Sequence, residues 1–297
     1  MTIINTDRLC QLIAQRPKTP ASKSNDVEIS HTVVEMGQTI DIVSMRNAFL
    51  MGMQPMKATF EHDLIIRRLS YNGGTWMTDS PQEISQMIEP LDSLGGDILV
   101  GGLGLGVFTH LTGQEGWADE VTTIERSQDI IDLVSGHIDT DEIICADLFE
   151  FLKTTSIGRY DSGFFDVWQP TGELAWADYV VPLRRLARDC VGELLCWNEE
   201  EMRGQLMMNM PMHALLEKPS YDGYHRVFQK VAQSTGVVKT TYAVDDLQSF
   251  AGCGEAAIRN KDLVALLEQF LDPSSHEWED IFGECWDENY PDQPKRC

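Results

Sequence analysis

Three glycines alternate in the string DILVGGLGLG, at Gly102, Gly104 and Gly106, where an apolar run gives way to a helical pattern. Glycine takes positive φ without strain and leaves no Cβ between backbone and ligand. A strand-to-helix turn of this kind can therefore set its N–H groups against a nucleotide or nucleoside. Glu125 closes the next β-branched run, VTTIE, nineteen residues after Gly106. A carboxylate at the tip of that second strand is placed to accept both hydroxyls of a ribose. Two more acids end strand-like runs, Asp147 after IICA and Asp166 after GFF. Carboxylate oxygens accept from an amino group, and strand ends at the carboxyl edge of an open parallel sheet are where ligands sit. Asp147 reads equally as a helix N-cap before LFEFL. Asp166, followed by Val167, Trp168 and Gln169, is the first candidate for chemistry, as a base or an orienting acceptor. Trp168 reads either as a wall for a cation, worth about 0.5 to 2 kcal/mol, or as plain core.

The glycine spacing narrows the ligand. A dinucleotide turn wants G-x-G-x-x-G, and here Val107 occupies the third glycine position. A triphosphate cradle, G-x-x-x-x-G-K-[ST], is missing from the sequence. The glycine turn with Glu125, Asp147 and the YDSGFFDVWQP run resembles the class I S-adenosylmethionine-dependent methyltransferases. The resemblance implies that Gly102, Gly104, Gly106 and Glu125 hold S-adenosylmethionine. It also implies that Asp147 meets the adenine amino group, and that Asp166 lies at both cofactor and chemistry.

Within that group, residues 58 to 200 look most like the spermidine synthase-like branch. The segment HDLIIRRLSYNGGTWMTDSPQEI reads as a hairpin turning at Asn72-Gly73-Gly74, then a helix capped near Ser80 with Pro81 at its first position. Aminopropyltransferases carry a similar hairpin, acidic turn and helix before the cofactor strand. The layout is also similar to that of short methyltransferase-like proteins of phage and bacterial genomes. Two departures matter. Leu103 stands where aminopropyltransferases have an acid in the glycine turn, and Gln169 stands where their second catalytic-loop acid would hold a diamine. Losing that charge-assisted partner costs roughly 1.5 to 3 kcal/mol. Methyl transfer to a small-molecule or peptidic acceptor is thus the leading expectation, with Trp168 and Gln169 on the acceptor side. The alternatives are aminopropyl transfer from decarboxylated cofactor and a non-catalytic cofactor-binding or assembly protein.

The elements that must position these residues follow from the pattern. Residues 1 to 15 read as a short helix and 16 to 27 as a polar linker. Residues 28 to 90 read as a β-hairpin region, with ISHTVVEMG pairing QTIDIVSM and a second hairpin around Asn72. From 91 to 200, strand and helix patterns alternate, which predicts a Rossmann-like α/β fold built on a parallel sheet. Residues 201 to 297 read as a mainly helical extension, so the sheet is expected to be truncated. The run SSHEWEDIFGECWDENY sets Trp278, Ile281, Phe282, Cys285 and Trp286 on one helical face, with acids opposite. This acidic amphipathic tail is expected to dock on its own body, or to make a dimer or protein-partner contact.

Composition sets the outer bounds. The 297 residues carry a formal net charge of −24, and residues 91–200 alone hold twenty-one acids against six bases. Such a field repels phosphate backbones and attracts cationic small molecules or basic proteins, so direct nucleic-acid binding is disfavoured. No apolar run approaches ~18 residues and the N-terminus lacks a long apolar signal region, so no membrane and a cytoplasmic location are expected, host cytoplasm if phage-encoded. Seven cysteines form no Cys-x-x-Cys pair and seven histidines no H-E-x-x-H, so no metal is expected. Cys145 and Cys196 read as small apolar residues of buried strands. His110 reads as a packing or solvent-facing residue.

Overall fold

A computed structural model describes residues 6–43, 55–116, 118–168, 179–199 and 201–202. The expectations for Gln169, for the extension beyond residue 202 and for its amphipathic tail lie outside the described residues. The elements below belong to one unit, Met1–Glu201.

An antiparallel sheet comes first. Helix α1 (Thr6–Gln15) buries Leu9 and Leu12, and strand β1 (Ser22–Ser24) follows. Strand β2 (Val27–Val34) pairs along its whole length with β5 (Leu64–Tyr71), which pairs with β6 (Gly74–Thr78), giving the order β1-β2-β5-β6. Asn72 and Gly73 turn the β5–β6 hairpin with φ of 50° and 78°. Positive φ at both central residues matches the twist of a tight hairpin. The hairpin expected between ISHTVVEMG and QTIDIVSM does not form. Strand β3 (Thr39–Val43) pairs instead with β4 (Met56–Thr59) in a separate ribbon, because β2 finds an eight-residue register with β5. The stretch expected to be a polar linker contributes β1 and buries Arg16 and Thr19.

Two short helices, α2 (Pro81–Gln86) and α3 (Ile88–Ser93), lead into the parallel sheet. Ser80 caps α2, its Oγ accepting the Glu83 N–H at 3.3 Å, and Pro81 fills the first helical position, where no N–H is missed. Strand β7 (Gly96–Gly101) then alternates with α4 (Val107–Glu115), β8 (Ala118–Glu125), α5 (Gln128–Val134), β9 (Glu142–Cys145), α6 (Leu148–Thr154) and β10 (Tyr160–Phe165). Helix α7 (Val181–Ala187) precedes β11 (Val191–Cys196). All neighbours in the order β11-β10-β7-β8-β9 are parallel. Read from β9, this is the doubly wound order 3-2-1-4-5, whose reversal lies between β7 and β10.

Position in the sheet explains strand composition. Central β7 is covered on both faces and buries Ile98, Leu99 and Val100 almost completely. Edge strand β9 is only half-buried, so Cys145 is exposed, contrary to the buried role expected for it, whereas Cys196 is buried. One apolar cluster runs from Leu9, Ile29 and Leu69 through Ile84 to Ile98 and Leu103. Asp129 ties the sheets together at the surface, accepting from Ser24 Oγ at 2.5 Å and Asn25 Nδ2 at 2.8 Å.

Candidate functional site

The glycine turn sits where the strand order reverses. Phe165 is in register with Gly101, and Asp166 N–H donates to the Gly101 carbonyl at 2.8 Å. The turn after β7 and the acid after β10 therefore adjoin at the carboxyl edge, in the crevice where open α/β sheets bind ligands. Within the turn, glycine and leucine divide the work: Leu103 and Leu105 are buried in the core, while Gly102, Gly104 and Gly106 all take positive φ.

Each glycine has a packing reason. A Cβ on Gly102 would lie 2.2 Å from the Asp166 carbonyl oxygen, and one on Gly106 within 2.8 Å of Ile138 and Val134. On Gly104 it would lie 2.2 Å from the sulfur of Met77, at the end of β6. Most turn amides are also engaged within the protein. Gly102 N–H donates to Ile124 O, Leu103 N–H to Glu125 Oε2 at 3.0 Å, and Gly106 N–H to Leu103 O. Leu105 N–H meets Met77 Sδ at 3.2 Å. A thioether is a weak acceptor, so a better acceptor can displace it. Gly104 N–H has no partner among the described residues.

The three acids stand in different environments. Glu125 is 7% exposed and accepts from Leu103 N–H and, at 2.8 Å, from Ser127 N–H. It clamps the glycine turn to the start of α5, and each oxygen keeps a further lone pair. Asp147 is the N-cap of α6, with Oδ1 accepting from Phe149 N–H at 2.9 Å and Glu150 N–H at 3.2 Å. The cap reading of this residue thus holds in the structure. Asp166 is half-buried, and no described group donates a hydrogen bond to its carboxylate. Burial, with the charge of Glu83 added, pushes its pKa up to about 7.

Glu83 is a member of this site that motif reading passes over. It is half-buried on α2, accepts from Thr78 N–H at 2.9 Å and from the Thr78 hydroxyl, and its own pKa is raised by burial. The signal was present in SPQE, where the fourth residue of a capped helix can reach back over its N-terminus.

Aromatic residues line the same edge. Trp168 is 3% exposed and its ring lies 6.3 Å from that of Tyr179, which lies 6.5 Å from Phe149. Its Nε1 finds no acceptor among the described residues. His110 lies elsewhere: Nδ1 accepts Asp139 N–H at 2.9 Å, and Nε2 lies 3.1 Å from Gln15 O. It is a clamp between α1 and the loop after α5. Among the described residues, no group of three or more His, Cys, Asp or Glu is placed to hold a metal, and no helix is long and apolar enough to cross a membrane.

The fold is thus mixed α/β with a parallel, Rossmann-like central sheet, and its crevice carries an acidic, partly aromatic site. No family model and no curated protein matches the chain. Among solved structures, a SAM-dependent methyltransferase from Archaeoglobus fulgidus aligns with a TM-score of 0.28 and 19% identity. The alignment covers 35% of this chain and 43% of that one, so the chain spans less than half of that protein. Strand order and side-chain geometry, rather than this likeness, carry the reading that follows.

Proposed function

We propose that the chain binds S-adenosylmethionine at the β7–β10 crevice and transfers its methyl group to a small-molecule or peptidic acceptor. The supporting observation is the meeting, at the switch point of the sheet, of a positive-φ glycine turn and an acid titrating near neutrality. When bound, the cofactor supplies an electrophilic methyl group on a positively charged sulfur.

The chain's own groups fit such a ligand. Among the described residues Gly104 N–H has no partner and Leu105 N–H meets only a thioether, which leaves two donors for a ligand at the turn. Glu125 would receive the ribose hydroxyls on its remaining lone pairs, and Asp147 lies after the neighbouring strand, where an adenine amino group would be met. Asp166 and Glu83 give the crevice negative charge that favours a sulfonium. Asp166 is the general base of this reading, taking the proton from an acceptor N–H or O–H on a carboxylate oxygen. A pKa near 7 keeps both protonation states populated at neutral pH, the condition under which a general base works best. Orientation of the acceptor supplies most of the remaining acceleration.

Calorimetry with S-adenosylmethionine, its demethylated product and its decarboxylated form tests the proposal. Binding of the first two, followed by label transfer from methyl-labelled cofactor into a fraction of host extract, is the expected result. Preference for the decarboxylated form would select aminopropyl transfer. Tight binding with no labelled product would select the non-catalytic reading, and no binding to any of the three defeats all of these readings.

A further inference from the structure

The three glycines of the turn face different kinds of neighbour. The space at Gly102 is closed by the backbone carbonyl of Asp166, and that at Gly106 by the β-branched side chains of Val134 and Ile138. Neither can step aside cheaply, since one is main chain and the others are stiff at χ1. At Gly104 the space holds the sulfur of Met77, near the far end of an unbranched side chain with three rotatable bonds. The same sulfur accepts Leu105 N–H at 3.2 Å. Met77 therefore occupies the stretch of the turn whose amides the described residues leave for a ligand. Resting on the function proposed above, we infer that Met77 is a displaceable stopper of the cofactor site. Its thioether covers Gly104 and Leu105 N–H in the ligand-free protein and swings off them when cofactor enters.

The chain around Met77 fixes its backbone and leaves the side chain to move. The β5–β6 register shifts at Trp76, between the pairs Leu69–Met77 and Ser70–Thr75, and such an irregularity re-aims the side chain beside it. On the other side, Thr78 N–H is held by Glu83 at 2.9 Å and Asp79 N–H by the Arg67 carbonyl at 3.0 Å. Met77 itself is half-buried and packs on the apolar cluster that includes Leu103 and Leu105. A thioether is a weak acceptor, so exchanging it for a ligand oxygen strengthens the bond to Leu105 N–H, while the lost apolar contact opposes the exchange. The stopper thus weakens binding without preventing it. A site open for about 10 to 20% of the time has an apparent dissociation constant about five- to tenfold above that of the open site.

Calorimetry on the full chain compares wild type with Met77→Ala, with the demethylated cofactor as the probe. The variant is expected to bind about five- to tenfold more tightly. Stopped-flow tryptophan fluorescence should place that gain in the association rate, with dissociation unchanged; loss of an ordinary ligand contact would instead speed dissociation and weaken binding. A second measurement leaves the stopper in place. In protein carrying methyl-labelled methionine, the Met77 resonance is assigned by its absence in Met77→Leu. Its methyl group should show a nuclear Overhauser contact to the Gly104 α-protons that disappears on saturation with the probe. Should Met77→Ala fail to fold, this contact decides alone. Equal or weaker binding by Met77→Ala overturns the stopper, as does a contact that persists in the saturated protein or is missing from the ligand-free one. If neither protein binds the probe, the function fails and takes the stopper with it. If wild type binds and Met77→Ala gains nothing, the stopper alone fails.

Discussion

Four residues apart in the sequence, Asp79 and Glu83 show two ways of keeping a carboxylate out of water. Asp79 is 1% exposed and fully compensated: it accepts Arg67 N–H at 2.6 Å, pairs with Arg67 Nη1 at 2.8 Å and lies 3.3 Å from Arg16 Nε. Arg16 also donates to the carbonyls of Asp79 and Ile65, so one charge cluster locks α1 to the β5–β6 hairpin. Among the described residues Glu83 has only the neutral donors of Thr78 and Asp166 has none, and burial raises both. Breaking a compensated buried charge costs stability, whereas an uncompensated one already carries its cost in the native state and gains stability when removed. The first arrangement holds the corner in place; the second leaves a carboxylate with proton affinity to use.

Three measurements would break or sharpen that contrast. The largest effect is expected at Asp79: Asp79→Ala leaves two buried guanidinium groups unpaired and should cost about 3 to 5 kcal/mol in urea unfolding. A loss under about 1 kcal/mol would show that the arginines find other partners and that the corner is not held by this charge.

Next in size is Asp166→Asn, whose effect depends on pH. The folded-state pKa of about 7 lies above the ordinary 3.8, so between these values the native state holds a proton that the unfolded chain has released. Wild-type stability contributed by the neutral acid is therefore lost as pH rises through that window. Asparagine cannot ionise, so the variant should exceed wild type by on the order of 1 to 3 kcal/mol at pH 8 and by little at pH 4, while abolishing turnover. A pH-independent difference would show that Asp166 bears no burial cost, and wild-type turnover would remove it from the mechanism.

The smallest effect concerns the wall between the two regions. Gly104→Ala places a methyl group on Met77 Sδ at φ +53° and should cost about 1 to 2 kcal/mol. Met77→Ala in the same chain should return part of that loss, read as a coupling in a double-mutant cycle. Additive losses would mean that Met77 does not press on the turn.

Much of this was legible in the sequence. Asn72-Gly73, Ser80-Pro81 and the alternating glycines each dictate a local conformation, and each appears where the pattern sets it. The parallel strands were legible because buried strands leave continuous apolar runs. The β2–β3 hairpin that the pattern predicts does not form, because turn residues at Gly37 are necessary for a hairpin but do not choose its partner. Strand β2 had a longer register available with β5. Arg16 and Thr19 carry the polarity of a linker, which hides the buried carboxylate and carbonyl network that they complete. Cys145 is exposed although its run predicts core, because an edge strand and a central strand carry the same apolar letters.

Local chemistry by itself settled the glycine turn, the caps, the parallel sheet and the acids at strand ends, since φ, hydrogen-bond capacity and strand burial act over a few residues. Which of those acids keeps its proton was a tertiary matter. Asp79, Glu125, Asp147, Asp166 and Glu83 are the same functional group in a sequence. Only their neighbours in space, two guanidinium groups, a pair of backbone amides, a helix end, or another carboxylate, separate the acids held as anions from the one whose pKa is pushed up to about 7.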